Sequence, residues 1–76
     1  MSESEWIDIF SKNLREIMND YRYTQRDLAD TLGVAESTVS RYLKGQMAPS
    51  IFAVINMSYA LGCTIDELID FGDRIR

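Results

Sequence analysis

The stretch Thr24 to Gly45, TQRDLADTLGVAESTVSRYLKG, constrains the fold more than any other part of this chain. Leu28, Ala29 and Leu32 recur at helical spacing, with Thr24 just ahead as a side-chain cap and Asp27 three residues later. Together they fix a helix over residues 25–32. Gly33 stands where a helix ending at Leu32 needs a positive φ, which glycine adopts without steric penalty. Val34 is expected to follow as an apolar plug beneath the turn. A second helix, residues 36–44, sets Val39, Tyr42 and Leu43 on one side and Glu36, Ser37, Ser40, Arg41 and Lys44 largely on the other, and Gly45 ends it.

Two helices joined by so short a link must cross steeply, and Ala29 supplies the small side chain that the crossing needs. That is helix-turn-helix geometry. The pattern of Gln25, Leu28-Ala29, Leu32-Gly33-Val34, Val39, Tyr42 and Gly45 resembles the helix-turn-helix family of Cro and the lambda repressor. The resemblance runs on through Pro49-Ser50-Ile51, Ala60-Leu61-Gly62 and Thr64-Ile65-Asp66-Glu67-Leu68, so it covers nearly the whole chain. It implies an all-α, five-helix, lambda-repressor-like DNA-binding domain.

Seventy-six residues allow one domain, here residues 1–76, near the lower limit at which a core holds without staples. Cys63 is the one cysteine and histidine is absent, so neither a disulfide framework nor a zinc site is expected, and no cofactor or small-molecule ligand is evident. No apolar run approaches the roughly 20 residues of a membrane span, and the start, MSESEWIDIF, is acidic where a signal peptide is basic. A cytoplasmic protein is expected. The net charge of −4 argues against a nucleic-acid binder, but its distribution qualifies the sum. Residues 1–20 and 51–76 carry balances of −3 and −2; residues 21–50, with Arg22, Arg26, Arg41 and Lys44 against Asp27, Asp30 and Glu36, carry +1.

Ser2 and Glu5 have capping-box spacing, which predicts a first helix over about 4–21 with Trp6, Phe10, Leu14, Ile17 and Tyr21 as one apolar stripe. Asp8, Lys12, Arg15, Glu16 and Asp20 fall mostly on its wet face, and Tyr23 is expected as a core plug in the link. After a loop ending at Pro49, Ser50 caps a fourth helix over 51–61, and Thr64 with Glu67 caps a short fifth over 65–70. By analogy with the family, Ile51, Val54, Met57, Ser58 and Leu61 face the core. Phe52, Ile55 and Tyr59 form a second apolar stripe where relatives carry charges, and Phe71 and Ile75 lie apolar in a polar tail. Two more departures are visible. Ala35 stands where the family usually has a capping serine or threonine, and Met18 and Leu43 stand where relatives pair an arginine with a glutamate. Joint replacement of a semi-buried ion pair by apolar residues removes two desolvation costs, so Met18 and Leu43 are expected to meet.

The resemblance implies that the helix over 36–44 enters the major groove. Position by position, the base readers are Glu36, Ser37, Ser40 and Arg41, with the Thr38 methyl available to thymine. Arg41 suits guanine O6 and N7 through its planar fork, whereas Glu36 either accepts from cytosine N4, selects against wrong partners, or favours the helix amino terminus. Thr24, Gln25, Arg26, Lys44 and Gln46 are the phosphate contacts. Phe52, Ile55, Tyr59, Phe71 and Ile75 are expected to form the interface of a homodimer on a near-palindromic operator. The function expected is a sequence-specific DNA-binding transcriptional regulator, either a repressor or a DNA-binding antitoxin. A protein-interaction module or antitoxin-type partner binder on the same fold is the alternative, and the acidic balance favours it. An enzyme is not expected, because Cys63 has no base partner and the serines sit where caps are needed.

Overall fold

α1 (Glu3–Asp20) opens the computed structural model, which describes residues 2–69, and α2 (Gln25–Leu32), α3 (Glu36–Leu43), α4 (Ile51–Leu61) and α5 (Ile65–Leu68) follow. Among these residues the chain is all-helical. The helices pack as a closed ring, α1 on α3, α3 on α2, α2 on α4, α4 on α5 and α5 on α1, so every element has two neighbours. Inside the ring lie Phe10, Leu14, Leu28, Val39, Met57 and Leu68, each with no exposed surface. Removing a side chain of that size from water contributes about 1.5–3 kcal/mol.

Caps set most of the boundaries. Ser2 accepts the Glu5 amide at 3.2 Å, so α1 begins at Glu3, one residue before the expected start. Thr24 accepts from the Asp27 amide while Asp27 accepts from the Thr24 amide, closing the capping box of α2, and Thr64 and Glu67 do the same for α5. α3 ends at Leu43 and α5 at Leu68, short of the expected 44 and 70, because Lys44 and Ile69 are cap residues rather than helical ones. Residue 70 lies outside the described residues, as do Phe71 and Ile75.

Four sequence expectations are corrected. Tyr21 leaves the apolar stripe of α1 and is 52% exposed. Arg22 adopts φ 55 there, and the amides of Arg22 and Tyr23 fold back onto the carbonyls of Asn19 and Met18, which turns Tyr23 inward and Tyr21 out. Tyr23 is half-buried against the core, as expected of it, and its hydroxyl bonds Thr31 Oγ1 at 2.8 Å. Val34 is exposed rather than a plug: its amide closes the turn onto Ala29, while its side chain lines a shallow depression with Leu32, Tyr42 and Phe52. Ile51 is 72% exposed rather than core, because the first position of α4 lies at the rim of an apolar groove of about 310 Å³ between Trp6, Pro49 and Ile65. Apolar residues on both faces of α4 predict a helix buried all round, but Phe52 and Tyr59 stand open to solvent.

Candidate nucleic-acid interface

The interface is built on α3, and α3 is held by what lies beneath it. Val39 and Tyr42 are buried, Leu43 packs partly buried against the same core, and Ala29 of α2, 2% exposed, lies within it. Met18 also joins this core, so both halves of the paired departure are absorbed by it. Phe10 ties α1 to α3 through an edge-on contact with Tyr42, ring centres 6.4 Å apart, and stacks on Trp6 on its other side.

The carboxyl end of α3 is fastened completely. Lys44 N–H reaches the carbonyl of Ser40, Gln46 N–H that of Arg41, and Gly45 N–H that of Tyr42, with Gly45 at φ 70 making the left-handed turn. α1 adds two side chains. Ser11 Oγ donates to the Tyr42 carbonyl at 2.7 Å in a buried bond, and Arg15 Nη1 donates to the Leu43 carbonyl at 2.6 Å. All four terminal carbonyls of α3, which have no partner within the helix, are thereby satisfied. The amino end differs: Ala35 has the extended conformation of a cap residue but makes no side-chain bond.

With its inner face so held, α3 turns Glu36, Ser37 and Arg41 to solvent, while Thr38 and Ser40 are half-buried at its flanks. Exposed Lys44 and Gln46 continue this surface past the helix end, and Gln25 and Arg26 are exposed in the first turn of α2. Thr24 is exposed as well, but its amide and its hydroxyl oxygen are both engaged in the capping box. The Thr24 hydroxyl and backbone amide beside it, aided by the charge of Arg26, hold the Asp27 carboxyl below its ordinary range. Burial, with the Glu67 carboxylate nearby, pushes the Cys63 thiol up, so it remains protonated at neutral pH and is a poor nucleophile. No cluster of histidine, cysteine and acidic residues able to hold a metal occurs among the described residues. No helix there is long and apolar enough to cross a membrane.

Ser11 and Arg15 are the site residues that sequence reasoning missed. Their signal is Asp8, Ser11 and Arg15 at spacings of three and four, a polar strip along the edge of the apolar stripe. Of the expected dimer residues, Phe52 and Tyr59 are 70% and 83% exposed on α4 and Ile55 is half-buried between them.

Comparison with known proteins agrees with this architecture. A helix-turn-helix family model matches residues 14–68, from the middle of α1 to the end of α5. The chain is similar to the uncharacterised HTH-type transcriptional regulator YqaE of Bacillus subtilis (strain 168), with 31% identity over 61 residues, 80% of this chain and 53% of that protein. It therefore spans about half the length of that relative. Among solved structures it is similar to the restriction-modification controller protein C.AhdI from Aeromonas hydrophila, with a TM-score of 0.77 and 27% identity over 82% of this chain and 94% of the other.

Proposed function

The chain belongs to the helix-turn-helix family, and on that premise we propose that it is a sequence-specific DNA-binding transcriptional regulator, not an enzyme, acting in the cytoplasm. In this reading α3 enters the major groove, Glu36, Ser37, Thr38, Ser40 and Arg41 meet base edges, and Thr24, Gln25, Arg26, Lys44 and Gln46 meet phosphates. The observation that carries it is the division of α3 into a buried face, Val39 and Tyr42, and an open polar one ending in Arg41. Such a helix has its packing satisfied and its donors still available.

The similarity to a controller protein and to an HTH-type regulator supports transcriptional control as the role. Repression through a near-palindromic operator follows if two copies bind together. Phe52 and Tyr59, two large aromatic side chains exposed on one helix, favour such a dimer, because water contact with rings of that size is relieved by a second copy. A two-fold pair would set its α3 helices about 34 Å apart, one turn of B-DNA.

Selection of duplexes from a random library tests the function. The wild type is expected to enrich a symmetric consensus, and Arg41→Ala to lose roughly 1–3 kcal/mol of discrimination at one base pair per half-site. Retention of no duplex at low ionic strength would overturn the regulator reading.

A further inference from the structure

We infer that Ser11 and Arg15 are positioning residues for DNA reading: they fix the attitude of α3 from α1, and so set sequence discrimination without touching DNA. The inference rests on the regulator reading and deepens it. Its basis is two hydrogen bonds and one close approach that converge on one end of one helix. Ser11 is a buried polar side chain, 2% exposed, and its hydroxyl is committed to the Tyr42 carbonyl. Arg15 brings a guanidinium to the Leu43 carbonyl, where the helix dipole is negative, so its bond is charge-assisted. Gly45 lies so close to α1 that a β-carbon there would come within 3.2 Å of Asp8 Oδ1 and 3.4 Å of Ser11 Oγ.

The placement is economical in one respect. A solvated arginine near a DNA-binding face ordinarily serves as a phosphate contact, but Arg15 donates inward to the protein's own backbone. Its loss therefore has a different signature from the loss of Lys44. A change of attitude in α3 moves every base-reading side chain at once, whereas contacts to phosphate by flexible side chains adapt. Specific affinity falls and non-specific affinity does not.

The experiment measures wild type, Ser11→Ala, Arg15→Ala, Arg15→Lys and Lys44→Ala on the library-selected duplex and on a scrambled one, across a salt series, at a temperature where each is folded by circular dichroism. Amide exchange of Lys44, Gly45 and Gln46 is followed in parallel. Ser11→Ala and Arg15→Ala are expected to lower specific affinity about tenfold, the scale of one or two hydrogen bonds, with the scrambled duplex and the salt slope unchanged. Exchange at the three amides quickens, and Arg15→Lys restores part of the preference. Lys44→Ala instead weakens both duplexes and reduces the slope by about one. If Arg15→Ala behaves like Lys44→Ala, or if the specific-to-scrambled ratio is unchanged in both α1 variants, the assignment is wrong while the regulator reading stands. A wild type that prefers no duplex overturns both.

Discussion

Single residues decide how well the two central helices begin, and their amino ends differ. Thr24 and Asp27 form a complete capping box at the start of α2, and Thr24→Ala is expected to lower stability by about 1 kcal/mol in chemical denaturation. Asp27 adds a pH dependence whose sign is fixed by the direction of its shift. Its folded-state pKa lies below the ordinary value of 3.8, so its contribution is complete above that value and is lost as pH falls through the folded one. Asp27→Asn is expected to remove that part of the acid sensitivity, read from stability profiles of the two proteins between pH 5 and about pH 2. Ala35, by contrast, has φ −72 and ψ 150, already the geometry of a cap, but no oxygen with which to accept. Ala35→Ser should raise stability by about 1 kcal/mol; an unchanged midpoint would show that the α3 amides find other partners.

At the scale of elements, much of the fold was legible because caps and periodicity agree. Gly33 and Gly45 both adopt φ 70 at the ends of α2 and α3, as their places in the sequence require. Their surroundings separate them. A β-carbon at Gly33 meets nothing within 4 Å, whereas at Gly45 it meets Asp8 and Ser11. Gly33→Ala is therefore expected to cost only the left-handed backbone, about 1–2 kcal/mol, and Gly45→Ala more than that, with thermal unfolding of the pair as the measurement. The sequence could mark both turns but not this difference, which depends on a helix more than 30 residues away. Arg22 was illegible for the opposite reason. It takes φ 55 where glycine or asparagine would have announced a turn, so the apolar stripe of α1 read on through Tyr21. Ile51 shows a third limit: an apolar residue at the first turn of an element satisfies the periodicity yet stays at the edge of the core, 72% exposed. The open face of α3, with Glu36, Ser37 and Arg41 outward, was legible from spacing, whereas the reading roles given to those residues come from the resemblance. Ser11 and Arg15 left only the polar strip they share with Asp8, because their partners are backbone carbonyls, which no residue type in the sequence specifies.

For the whole molecule, charge and exposed apolar surface make separate predictions. Residues 21–50 hold four cations, so the logarithmic salt slope of binding is expected to be no steeper than about −4 per protomer. A steeper slope would mean that cations outside this unit reach phosphate. Phe52 and Tyr59 predict self-association: sedimentation at micromolar concentration should show a dimer for the wild type and a monomer for Phe52→Asp, and a monomer for both would assign the exposed rings to another partner. The uneven fastening of α3 has a consequence for the binding sequence itself. A cantilever is stiff at its mount and compliant at its tip, and Arg41 lies near the mount whereas Ser37 lies near the tip. The aligned, selected sequences should therefore be graded in information, strict at the base pair under Arg41 and degenerate at the one under Ser37.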